Sequence, residues 1–180
     1  MSDSAGESVG ESASASPSDS ESEAAPGTTQ PAPPALLIGV RLSATGDAGE
    51  LFADAKAIEA AGADSLWVDA VDGDPYVVLA ALAAVTWRVR LVARGAPTDV
   101  AARETCASLA RGRLVVAEES EERWTESAFP VSRAAWDELR NASSTAGLTG
   151  VVLPNDPRLI DLLRNPDIIE ARDDLKLSFG

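Results

Sequence analysis

From residue 35 onward, short apolar runs alternate with stretches of helical period. Residues 36–42 (LLIGVRL) form a run apolar enough for a strand buried on both faces. Residues 50–61 carry Leu51, Ala55 and Ile58 on one side of a helix, and Gly62 stands where a helix C-terminal glycine belongs. Residues 65–70 (SLWVDA) read as a second strand. Asp74 and Pro75 then supply a cap and a first-turn proline. The helix that follows, PYVVLAALAAVT, is apolar nearly all round and is expected to be deeply packed.

Residues 88–93 (RVRLVA) predict a third strand, and Asp99 caps a helix that runs to Ala110 and breaks at Gly112. Residues 113–117 (RLVVA) predict a fourth strand, and residues 118–130 read as a charged connection. Ser132 starts a helix with Trp136, Leu139 and Ser143 on one stripe, closed by Gly147. Residues 148–154 (LTGVVLP) make a fifth strand. Asp156-Pro157 opens a helix that ends at Asn165-Pro166, and residues 175–179 (LKLSF) are a candidate sixth strand.

Strand and helix in alternation, joined by short links, imply a parallel sheet with right-handed crossovers. Such sheets bind ligands at the carboxyl ends of their strands. That rule selects Ser43, Asp69, Asp72, Arg94, Glu118, Glu119 and Asn155.

The first 34 residues change the picture. They hold no Lys, no Arg and no aromatic residue, but six acids: Asp3, Glu7, Glu11, Asp19, Glu21 and Glu23. A segment of this kind buries too little apolar surface to offset its ordering entropy. It is expected to be a disordered acidic tail, serving either as a solubilising extension or as a docking segment open to phosphorylation. Residues 35–180 then form the single folded domain. With no basic or apolar leader, the expected location is cytoplasmic.

The formal net charge is −14, which argues against nucleic acid and against an anionic membrane surface as partners. There is no histidine, so the commonest general base and metal ligand is missing. The single cysteine, Cys106, forms no intramolecular disulfide and has no histidine to activate it. Its spacing with Ala102 and Leu109 places it on one helical face, as a core residue.

Asp69, Asp72 and Asp74 are close enough to suggest a cation site, but the ordered ligands of a calcium loop are absent, and no metal is expected. Glu118, Glu119, Glu121 and Glu122 offer paired carboxylates, or simply a solvated loop. Of the four tryptophans, Trp67 is expected in a core or helix-facing position and Trp87 partly exposed. Trp124, in the charged connection, is the best contact candidate. GDAG at residues 46–49 is a short turn without the lysine or spacing of a nucleotide loop.

Three stretches carry a family likeness: AIEAAGADSLWV, DPYVVLAALAAVTWRVRLV and SLARGRLVV. The chain resembles the luciferase-like monooxygenase family of flavin- or deazaflavin-dependent oxidoreductases from about residue 37 to residue 116, with a weaker echo over residues 147–166. The resemblance implies a TIM-like barrel with the flavin over the carboxyl ends of its strands. A complete barrel of this type needs about 250 residues, so the expected fold is α/β, a reduced or incomplete TIM-like barrel of mostly parallel strands.

The likeness falters at the family's functional positions. Where the family often has Ser-Asp-His after the second strand, this chain has Asp69, Ala70 and Val71. The family often has a glycine after the third strand, where the matching position here is Val92, and Ala117 and Glu119 stand in place of a Gly-x-Gly turn after the fourth. A side chain there blocks the backbone's close approach to a cofactor, and Glu119 adds a negative charge near any phosphate. Two classes of function follow. One is an active oxidoreductase on a small organic substrate, with FMN or a deazaflavin held near Ser43, Asp69 and Arg94. The other is a non-catalytic relative that acts through self-association, as a dimer, or through a partner.

Overall fold

The structure is a computed structural model. It describes residues 35–69, 73–95 and 99–165. The N-terminal acidic segment, Ala70 to Asp72 and the strand expected at residues 175–179 lie outside the described residues.

The elements in chain order are β1 (Leu37–Leu42), α1 (Ala48–Ala61), β2 (Ser65–Asp69), α2 (Pro75–Val85), β3 (Arg90–Arg94) and α3 (Val100–Ala110). They continue with β4 (Leu114–Val116), a 3-10 turn (Ala117–Glu119), β5 (Trp124–Glu126), α4 (Arg133–Thr145), β6 (Gly150–Pro154) and α5 (Leu159–Arg164). The caps predicted at Asp74, Asp99 and Ser132 form, and Asp47 caps α1 as well. Asp47, Asp74, Asp99 and Ser132 each accept a backbone N–H at the start of the helix that follows. Gly62 ends α1 at φ 100°, a left-handed angle that L residues avoid.

The six strands of the described residues form one sheet in the order β4-β3-β2-β1-β6-β5, and every pairing among them is parallel. The sheet curls into a half-barrel. Trp67 on β2 and Trp124 on β5 meet with ring centroids 5.3 Å apart. Three strand steps in a flat sheet would separate their backbones by about 14 Å.

The convex face carries Val40, Leu42, Leu66, Val68, Leu91, Ala93, Val151 and Leu153, which pack with Ile58, Leu79, Leu82, Trp136 and Leu159 of the helices into the main core. The concave face has a smaller cluster of Trp67, Val92 and Val152, flanked by Val115, Ala117 and Trp124. Both faces are thus covered, as the continuous apolar runs require.

Several expectations change. Residues 118–130 are more than a charged connection, because β5 lies within them and pairs with β6 in register Trp124↔Gly150 and Glu126↔Val152. Trp67 is buried but faces the concave side, away from the helices. Helix α2 is not packed all round, since Val77 is 60% exposed. On α3 the buried stripe is Cys106 and Ala110, while Leu109 is 44% exposed.

Two charged side chains fix the amino end of β3. Glu59 Oε1 accepts the backbone N–H groups of Trp87, Arg88 and Val89 at 2.8, 2.6 and 3.0 Å. Burial raises the pKa of this carboxyl, but the three N–H donors and the nearby Arg88 outweigh it and hold it below the ordinary value. From the other side, Arg113 donates to the carbonyls of Ala110, Val89, Ala83 and Thr86 and to Thr86 Oγ1, over 3.0–3.2 Å. Its guanidinium satisfies carbonyls at the ends of α2 and α3, where the helix dipoles favour a cation.

Candidate functional site

The alternation of each strand sends one set of side chains into the curl. These are Gly39 and Arg41 from β1, Ser65, Trp67 and Asp69 from β2, and Arg90, Val92 and Arg94 from β3, matched by register. Trp124 and Glu126 from β5 and Gly150, Val152 and Pro154 from β6 complete the ring.

The two indoles fill the middle of the concave face. They meet edge to face at 63°. Trp67 Nε1 donates to Ser65 Oγ at 2.9 Å. Each ring needs a glycine opposite. A Cβ on Gly39 would stand 2.5 Å from Trp67 Nε1, and one on Gly150 would run into the Trp124 ring.

At the amino end, Arg90 Nη1 donates to Glu122 Oε1 at 2.7 Å, and Trp124 Nε1 donates to Glu122 Oε2 at 3.0 Å. The Arg90 hydrogen bond, against an opposing effect of burial, holds the Glu122 carboxyl below its ordinary pKa. Arg90 Nη2 is buried with no hydrogen-bond partner among the described residues.

At the carboxyl ends a chain of ion pairs crosses the curl. Arg94 Nη1 pairs with Asp69 Oδ1 at 3.4 Å and with Glu126 Oε1, while Arg41 Nη1 holds Glu126 Oε2 at 3.0 Å. Burial works against the Arg94 charge, but Glu126 and Asp69 outweigh it and raise its pKa above the ordinary value. Arg94 also lies over the Trp67 ring, 5.8 Å from its centroid.

Of the three residues expected to hold a cofactor, Asp69 and Arg94 are therefore bound to each other. Ser43 stands apart, sharing a hydrogen bond with Thr45 Oγ1 at 2.6 Å on a separate cavity of about 540 Å3 that Asp69 also borders. Asn155 lines that second cavity and donates to Asp54 Oδ2 at 2.7 Å.

The acidic run after β4 is not a freely solvated loop. Glu118 Oε1 accepts the Gly95 N–H at 2.9 Å, and Arg103 grips both oxygens of Glu119 at 2.9 Å. With Glu122 on Arg90, three anchors tie residues 117–123 to the half-barrel as a strap between β4 and β5, the edge strands among the described residues. Beneath it lies a cavity of about 640 Å3, walled by Trp67, Val92, Val115, Trp124 and Val152. Glu118, Ser120, Glu122, Glu126 and Arg94 supply its polar lining.

Sequence reasoning missed Arg90 and Glu126, and took Glu122 only as one of a run of carboxylates, paired or solvated. The period-two alternation Glu122, Trp124, Glu126 was the available signal. Cys106 is buried, and burial pushes its thiol up to about 11, so it is no nucleophile at neutral pH. Among the described residues, no group of three or more His, Cys, Asp or Glu side chains is placed to hold a metal ion, and no helix is long and apolar enough to cross a membrane.

Fold and site together define an α/β protein with an all-parallel half-barrel and an aromatic, carboxylate-rich concave face. No family model matches the chain, and no curated protein matches it.

Proposed function

We propose that this chain is a shortened member of the luciferase-like monooxygenase family, keeping the scaffold of a flavin- or deazaflavin-dependent oxidoreductase without a cofactor site that holds flavin tightly. The strand order supports the scaffold reading. Written as β5-β6-β1-β2-β3-β4, it is the order of a TIM-like barrel in which the strap over residues 117–123 replaces the β/α units between the fourth strand and the last two.

The observation that carries the loss of cofactor binding is the ion-pair chain Arg41–Glu126–Arg94–Asp69. An anionic phosphate needs free guanidiniums, helix N-termini or close backbone N–H groups. Both arginines at the strand ends are already neutralised, and Val92, Ala117 and Glu119 carry side chains at the three family glycine positions. Loss of two charge-assisted contacts costs about 3 kcal/mol, roughly a hundredfold in affinity. FMN and the deazaflavin cofactor, titrated by fluorescence and calorimetry, are expected to show no saturable low-micromolar binding. Saturable low-micromolar binding of either would restore the active oxidoreductase on a small organic substrate.

In this reading the scaffold acts through association, and the open half-barrel supplies the means. Among the described residues, strands β4 and β5 each pair on one side only. Such edges favour pairing with another chain, and a two-fold dimer is the simplest closure. Light scattering across a concentration series is expected to show a dimer; monomer alone at high concentration would refute this.

A further inference from the structure

The geometry points to the cavity beneath the strap as a binding site for a planar aromatic cation. The inference rests on the reading that anionic flavin is not held there. At about 640 Å3 the cavity has the size of a small-molecule pocket, with apolar walls and polar groups gathered at its rim.

Charge selects among ligands. The lining holds three carboxylates, from Glu118, Glu122 and Glu126, against one guanidinium, from Arg94. Arg94 is engaged twice, by Asp69 and Glu126. Glu118 has a backbone N–H as its hydrogen-bond partner and no ion pair among the described residues. Glu122 is paired with Arg90, and Glu126 with Arg41 and Arg94, so the carboxylate that an entering anion meets without a paired cation is Glu118. A neutral ring gains only apolar contact and stacking. A cationic ring gains those together with the attraction of the indole rings and of the Glu118 carboxylate.

The tryptophans point the same way. Each occupies its place only because a strand position opposite is glycine, at Gly39 and Gly150. Glycine within a strand weakens it and often marks a place where something approaches closely. The site already seats cations against both rings, for Arg90 lies 5.5 Å from the Trp124 centroid and Arg94 lies 5.8 Å from that of Trp67.

The test titrates the full chain with three probes of like shape: N-methylquinolinium, neutral quinoline and quinoline-2-carboxylate. Calorimetry gives affinities, and the indole N–H signals of the four tryptophans give location. The cation is expected to bind saturably, about tenfold or more tighter than the carboxylate, and to shift the signals of Trp67 and Trp124. Glu118→Gln keeps an acceptor for Gly95 and removes one charge. It is expected to weaken the cation about three- to tenfold and leave quinoline unchanged, with circular dichroism checking the fold. Added salt should weaken the cation alone in the parent protein.

Equal affinity for cation and carboxylate would overturn the inference, as would shifts confined to exposed Trp87 or no saturation by the cation. If flavin and quinolinium both fail to bind, only this inference falls. If flavin saturates at low micromolar, the underlying reading falls with it.

Discussion

Replacing Arg113 with methionine is expected to destabilise the domain by about 3 kcal/mol or more, the largest single effect of any one-residue change away from the apolar core. The reason is the number of groups left without a partner. Arg113 reaches five acceptors within 3.0–3.2 Å, four of them carbonyl oxygens from the end of α2, the end of α3 and the entry to β3. Methionine retains much of the apolar stem and provides none of the donors. Burial lowers the pKa of Arg113, an effect opposed by Glu59, so the guanidinium is held at some cost in solvation. Lysine restores charge but only three donors from one point, and Arg113→Lys should fall between parent and methionine variant. Urea unfolding at neutral pH measures the series. A methionine variant within about 0.5 kcal/mol of the parent would show that water replaces the guanidinium without loss.

Alanine at Gly39 and at Gly150 is expected to destabilise by about 1–3 kcal/mol each, through overpacking of the concave face. The two sites should differ in how they are rescued. At Gly39 the atoms nearest the added methyl all belong to side chains, with Trp67 Nε1 at 2.5 Å and Ser65 Oγ at 2.9 Å. Trimming the indole in Gly39→Ala/Trp67→Leu should therefore recover part of the loss, with a favourable coupling of about 1 kcal/mol. At Gly150 the methyl also meets the Leu37 carbonyl oxygen at 2.7 Å, which belongs to the β1 backbone. Gly150→Ala/Trp124→Leu should recover less, because the strand itself must shift. Thermal and urea unfolding of the two double-mutant cycles read the difference. Equal recovery at both sites would mean that the backbone contact at Gly150 relaxes freely.

The convex half of this fold is legible in the sequence because one rule governs it. Strands β1, β2, β3 and β6 are apolar runs since helices cover one face and the curl covers the other. Their helices announce themselves through Asp74, Asp99 and Ser132 as caps. Strand β5 obeys a different rule. It has three residues, lies at the sheet edge, and presents Trp124 and Glu126 inward, so a search for an apolar run passes over it.

The site divides in the same way. Asp69 and Arg94 follow from their place at strand ends. Their pairing does not, and neither does the role of Glu126, because β3 and β5 lie four strands apart and only the curl brings them together. Arg113 looks like the first residue of a strand. Its function depends on where two helices stop, which no local pattern states.

The central place of β1 has a consequence for how the protein is made. One edge of β1 pairs with β2, which follows within a few dozen residues; the other pairs with β6, in register Leu37↔Gly150. A ribosome adding about 5–20 residues each second leaves roughly 4–17 seconds between the emergence of these two partners. Through that interval the first four strands can assemble with their helices, while one row of β1 backbone groups and the inward face of Trp67 stay uncovered. The nascent protein is therefore most open to wrong pairing in the middle of its sheet, and β6, the last of the described strands to be translated, is the one that seals it.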